Sequence, residues 1–140
     1  MPGTAALIVG LVVAIVDGDT LTLLQEDFRH AKVRLAEIDA PETRQAFGTR
    51  SRQSLGELCH EKRAEVRVTD VDRYKRIVGR VSCAGVDANA AQVRRGMAWV
   101  YDRYAKDETL YRLQDEARSA GRGLWADRNP TTPWDWRKRS

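Results

Sequence analysis

Residues 7–24 read LIVGLVVAIVDGDTLTLL: an apolar run, a short polar interruption, and a second apolar run. The β-branched and aliphatic content of 7–16 and 20–24 suits two strands, and Asp17-Gly18-Asp19 suits the turn between them. A bend needs only one aspartate and the glycine. Asp17 begins the turn and fills the capping role. Asp19 is then surplus to the bend, and it stands where the second strand resumes.

Working outward, residues 31–38 alternate: Ala31, Val33 and Leu35 point one way, and Lys32, Arg34 and Ala36 the other. Pro41 in DAPET (39–43) stops that strand because it cannot supply a ladder N–H. A helix is predicted over 49–60, with Leu55, Leu58 and Cys59 on its apolar side. Strands follow at 64–68 and 77–83, separated by the polar loop VDRYKR. Asp87 is placed to cap a helix over 88–95 that Gly96 stops, and Asp107 to cap another over 108–120 that ends at Gly121 and Gly123. The tail NPTTPWDWRKRS has two prolines and no period, so it reads as a loop or a docked extension. Three strands, a helix, two strands and two helices match an α+β fold: a five-stranded OB-type Greek-key barrel with three helices.

The 140 residues are read as one domain, 1–140, with a core at about 7–125 and a C-terminal extension at 126–140. The net charge of +4, carried mostly by arginine, suits an anionic partner such as nucleic acid, although a soluble surface alone would also account for it. The longest apolar run, 5–16, holds Gly10 and falls short of the roughly 20 residues a spanning helix needs. It has no charged segment before it, so an exported form would need a leader removed from this sequence. Cys59 and Cys83 form no CxxC, and His30 and His60 have no second ligand nearby, which argues against zinc. The cysteines read either as two buried thiols or as one disulfide, the latter implying an oxidising compartment.

Asp19 opens a strand, Asp39 closes another, and Glu42 follows in a proline-containing bend. Carboxylates at strand ends can converge on one rim of a barrel, where oxygens hold a hard cation. Arg34 and Arg76 could each grip two phosphate oxygens and stay charged while doing so. Taken singly, these residues are turn aspartates and surface arginines. Together they supply what phosphoryl transfer needs: positioned water, neutralised oxygens and a stabilised leaving group.

VDGDTLTL (16–23), VRLAEIDAPET (33–43) and DRYKRIVGRV (72–81) resemble, in order and separation, the three signature segments of the staphylococcal nuclease family. GVDANAAQVRRGMAWVY (85–101) and the later GLW fit the same pattern, so the resemblance covers about residues 12–125. It implies an OB-type barrel and a calcium-dependent endonuclease that cleaves DNA and RNA, breaks the bond to the 5′-oxygen and leaves 3′-phosphates. By motif position Asp19 and Asp39 match the calcium carboxylates. Ala40 falls where a threonine commonly binds the ion through its backbone carbonyl, so the loss of the hydroxyl leaves that ligand intact. Glu42 matches the general base, Arg34 the arginine on the scissile phosphate, and Arg76 the one that stabilises the transition state. A guanidinium is a poor acid at neutral pH, which favours charge stabilisation as the role of Arg76.

The same resemblance places Tyr74 and Tyr101 near the bound nucleotide, with Tyr104 as the alternative to Tyr101. Lys75 stands where glycine is common, a departure that bears on the loop's backbone shape and adds a charge within reach of nucleic acid. Trp99 and Trp125 read as core, whereas Trp134, Trp136 and residues 137–139 either extend the phosphate-binding surface or sit in solvent. Chains of this kind carry one cysteine after the first helix and one after the fifth strand, so a Cys59–Cys83 bridge is an expectation from resemblance. The expected partners are DNA and RNA, with no membrane and a monomeric enzyme. Export to the periplasm or medium is expected ahead of a cytoplasmic site. The competing reading is a non-catalytic OB-type binding module; the joint presence of Asp19, Arg34, Asp39, Glu42 and Arg76 favours catalysis. A metal-free ribonuclease built on His30 and His60 is the weakest alternative.

Overall fold

Strand β1 (Leu7–Asp17) is long enough to serve two partners. Its residues 10–17 pair antiparallel with β2 (Thr20–Gln25), and its residues 7–11 pair with β5 (Arg63–Val71). Register shifts near Val13 and Val16, both within the β2 pairing, bend the strand as bulges do. β2 pairs with β3 (His30–Leu35), and β5 with β6 (Ile77–Cys83). The circle closes where β3 meets β6 in parallel, with Val33 opposite Ile77 and Leu35 opposite Gly79. A short β7 (Val86–Asp87) folds back on the end of β6. These relationships come from a computed structural model that describes residues 6–139; Ala5, at the head of the apolar run, lies outside them.

Leu21, Leu23, Val33, Leu35, Val66 and Val81 fill the barrel, all essentially without solvent contact. Burial of each such aliphatic side chain is worth roughly 1.5–3 kcal/mol. Helix α1 (Gly48–Cys59) packs Leu55 and Leu58 into the same cluster, and α2 (Ala88–Arg94) adds Val93. Asp87 caps α2 by accepting from Ala90 N–H, and Asp107 caps α3 (Glu108–Ser119) by accepting from Thr109 N–H, both as expected. Cys59 at the end of α1 and Cys83 at the end of β6 form a disulfide, and neither cysteine is free. Among the described residues no helix is long and apolar enough to cross a membrane.

The strand expected over 31–38 is broken. β3 stops at Leu35, Glu37 takes a left-handed backbone (φ 67°), and a separate β4 (Ile38–Asp39) pairs with β8 (Trp99–Val100). Tertiary bonds hold the break: Ala36 N–H donates to Gly79 C=O at 2.8 Å, and Tyr101 N–H donates to Glu37 C=O at 2.8 Å. The Glu37 carboxylate in turn accepts from the Lys106 and Asp107 N–H groups. Ala36 is therefore buried and does not sit on an outer strand face.

A second difference lies in the helix count. The tail is docked, with a 3-10 turn at Gly123–Ala126 and a fourth helix, α4 (Pro133–Arg139). Trp125 is buried as expected, and Trp99 packs on it with ring centroids 4.5 Å apart. The short α4 gains its order from tertiary contact: Trp134 stacks on Tyr101 at 5.1 Å and meets the Trp99 ring edge-on at 5.9 Å.

Candidate active site

The Asp17–Asp19 turn is shaped by packing as well as by hydrogen bonds. Asp17 Oδ1 accepts from Asp19 N–H at 3.0 Å, the capping role expected of it. Gly18 lies so close to α1 that a Cβ there would run into Ser51 Oγ and come within 2.9 Å of Ala40 Cβ. The buried amide of Gln92, on α2, donates to Gly18 C=O at 2.8 Å and to Ser51 C=O at 3.0 Å. Ser54 Oγ donates to the other end of that amide at 2.6 Å.

So held, Asp19 meets two segments. Thr20 pairs with Arg34 across β2 and β3, and Leu35 N–H donates to Asp19 C=O, which sets the Asp19 side chain beside the Arg34 guanidinium. Asp19 Oδ2 accepts from Ala40 N–H at 2.7 Å and lies 3.4 Å from Arg34 Nη1. Arg34 Nη1 donates to the carbonyls of Leu35 (2.8 Å) and Ile38 (2.9 Å), and Nη2 lies 3.3 Å from Asp39 Oδ1. One guanidinium, locked by two carbonyls, thus spans two carboxylates that are 6% and 1% exposed.

The electrostatics follow from burial. Desolvation pushes Asp39 up to about 6, aided by the Asp19 charge and opposed by Arg34 and Arg137. Asp19 is also desolvated, but Arg34 and bonds from Ala40, Thr20 and Asp17 hold its carboxyl below the ordinary value. Asp17 is raised to about 7, first by burial and then by Asp19. The donor set is all oxygen, the kind that suits a hard cation. Among the described residues no cluster of three or more acidic, histidine or cysteine side chains is spaced to hold a metal. The residues that could hold a cation here are Asp19 and Asp39, with the Ala40 carbonyl that the resemblance adds and water to complete the shell.

Glu42 lies at the edge, half-exposed. Its Oε1 accepts from Arg137 Nη1 at 2.7 Å, and the same nitrogen reaches Asp39 Oδ1 at 3.1 Å. Arg137 Nη2 completes the fork on Asp39 Oδ2 at 2.7 Å.

A family model described as staphylococcal nuclease homologue matches residues 32–127. An uncharacterized endonuclease of Haemophilus influenzae is 44% identical over 127 residues, covering 91% of this chain and 71% of that protein. A micrococcal nuclease of Shigella flexneri is 42% identical over 142 aligned positions, covering 94% and 81%. The chain belongs to the staphylococcal nuclease family.

In this staphylococcal nuclease homologue the third signature segment stands apart from the carboxylates. Arg76 donates from Nε to Asp72 Oδ2 at 2.7 Å, and among the described residues it makes no bond to Asp19, Asp39 or Glu42. Its backbone lies one step before Ile77, the partner of Val33, so alternation puts it on the same side of the sheet as Val78, the partner of Arg34. Tyr74 is exposed, with Arg73 at 5.0 Å and Arg76 at 5.6 Å from its ring centroid. Lys75 is exposed and left-handed (φ 64°), the conformation glycine adopts without strain, so the loop keeps a shape that glycine would also take. Tyr101 and Tyr104 meet edge to face at 5.1 Å, and Tyr101 also stacks on Trp134. Sequence reasoning missed Arg137 and Gln92. The RKR ending was a signal of charge, yet nothing local pointed it at Asp39, and Gln92 shares a short alanine-rich helix with the equally buried Asn89, with nothing local to aim its amide at Gly18.

Proposed function

We propose that this family member is a calcium-dependent endonuclease that hydrolyses phosphodiesters of both DNA and RNA and leaves 3′-phosphates. The observation that carries the reading is the convergence of Asp19, from the β1–β2 turn, with Arg34 on β3 and Asp39 on β4, both carboxylates being buried. Asp19, Asp39 and the Ala40 carbonyl would hold the ion, which when bound supplies positive charge to the phosphate and acidifies a water. Glu42 accepts the proton of the attacking water at a carboxylate oxygen. Arg34, fixed by the Leu35 and Ile38 carbonyls, pairs with a phosphate oxygen without having to be ordered first. Arg76 stabilises the charge that builds on the phosphorus oxygens, after turning from Asp72, as the bond to the 5′-oxygen breaks and that oxygen takes a proton from solvent water. Tyr74, Lys75 and Tyr101 bind the nucleotides on either side by stacking and charge. The Cys59–Cys83 bridge supports a place in an oxidising compartment, and we take the enzyme to be exported and to act as a monomer.

The test is digestion of plasmid DNA and of RNA with calcium, with magnesium and with chelator. Cleavage of both substrates with calcium, abolished by chelator, is the expected result. Cleavage undiminished in chelator would overturn the metal assignment. Binding without cleavage under every condition would leave a basic oligonucleotide holder.

A further inference from the structure

Helix α4 is anchored where the proposed chemistry takes place. Gln45 Nε2, in the segment between β4 and α1, donates to Thr131 C=O at 2.6 Å just ahead of α4. Pro133 is buried, and Trp134 covers one face of the Tyr101 ring, the two planes lying within 1° of parallel. One turn further on, the Arg137 fork engages both oxygens of Asp39 and one of Glu42. Its bonds therefore fall on a carboxylate read as a cation ligand and on the carboxylate read as the base. The stack covers the tyrosine read as a nucleotide platform.

The Arg137 fork and a divalent cation would compete for the same two oxygens of Asp39. Each is positive, and Arg137 already approaches both carboxylate oxygens in the bidentate manner that makes such pairs strong. The helix itself is a small unit. It has seven residues, follows Asn129-Pro130-Thr131-Thr132, and keeps Arg137 with 40% of its side chain in solvent. Local units with few buried contacts open at a fraction of the global unfolding cost.

We propose that α4 is an intrasteric latch. In the resting protein Arg137 stands in for the cation on Asp39 and withholds the Glu42 carboxylate, and cation binding displaces it. When Arg137 withdraws, Trp134 leaves Tyr101 and the ring becomes available to a nucleotide. The latch rests on the calcium-site reading above. It differs from that reading in assigning the C-terminal helix a state that changes with the ion.

Affinity is the direct readout, because a site competent only in the open state binds with its intrinsic Kd divided by the open fraction. A latch closed nine-tenths of the time weakens apparent affinity about tenfold. The experiment titrates calcium chloride alone into the full chain by calorimetry, comparing wild type with Arg137→Ala and Arg137→Gln. It also follows acrylamide quenching of tryptophan emission in wild type and in Trp134→Phe. The expected result is a Kd at least ~10-fold lower in both Arg137 variants, with calcium-linked quenching in wild type that Trp134→Phe loses. An unchanged Kd, with calcium still bound by wild type, overturns the latch and leaves the cation site standing. A lower Kd without calcium-linked quenching also overturns it, since Arg137 would then act only as a nearby charge. No calcium bound by any form overturns latch and cation site together.

Discussion

Gln92 and Gly18, 74 residues apart in the chain, are joined by a 2.8 Å hydrogen bond from the buried amide of one to the carbonyl of the other. Through it α2 holds the turn that presents Asp19. Gln92→Leu would leave the Gly18 and Ser51 carbonyls and the Ser54 hydroxyl without that partner in a dry place. The expected cost is about 2–4 kcal/mol, the usual range for several orphaned buried polar groups. Urea denaturation measures it, and turnover should fall with it as Asp19 loses its position. A variant as stable as wild type would mean that the turn holds without the brace.

Glu42→Gln and Arg76→Ala should each lower turnover by at least ~10²-fold, as when a group acting on transition-state charge is lost. Both side chains are partly exposed, so each variant should lose no more than its ion pair, with Arg137 or with Asp72, and should still fold. Asp19→Asn should raise the calcium concentration needed for half-maximal cleavage. Unchanged DNA cleavage in all three would refute the role assignments.

Reduction of the Cys59–Cys83 bridge, which closes a loop with a sequence separation of 24, should remove about 3 kcal/mol of stability. In a protein of this size that lowers Tm by roughly 10 °C. Melting with and without dithiothreitol checks it, and Cys59→Ser with Cys83→Ser should reproduce the reduced curve. Coincident curves would show that the link adds nothing.

Acid should weaken the third-segment loop. Asp72 is held below its ordinary value, although burial opposes this, because it accepts from the Arg76 side chain and from the Arg76 and Tyr74 N–H groups. Its folded pKa therefore lies below the unfolded one. The contribution is complete above the ordinary aspartate range and disappears as pH falls through the folded value. Denaturation midpoints between pH 7 and pH 3 should drop less steeply in Asp72→Asn than in wild type. Parallel slopes would exclude the contribution.

Local chemistry made much of this molecule legible. The β1–β2 turn, the Asp87 and Asp107 caps and the apolar side of α1 each depend on neighbours within a few residues, and all lie where their residue types indicate. The end of β3 was hidden because Glu37 turns left-handed with no glycine or asparagine to announce it. Its partners, Tyr101, Lys106 and Asp107, come from 64 to 70 residues away. Helix α4 was hidden because seven residues with two tryptophans carry little helical signal of their own. Of the site, the Asp19–Arg34–Asp39 convergence could be anticipated from strand ends and motif order. The reach of Arg137 to a carboxylate 98 positions earlier could not.

The crowding around Gly18 separates two kinds of selection. In a saturation library across 15–20, variants chosen only for a stable barrel should still retain glycine at 18, because Ser51 and Ala40 leave no volume for a methyl group. Position 19 should admit the isosteric Asn under that regime only with the loss of the buried Arg34 pair, and should be held strictly to Asp when survival also demands a cut phosphodiester. Foldability and catalysis are thus written into adjacent codons, and a library can tell which pressure kept each one.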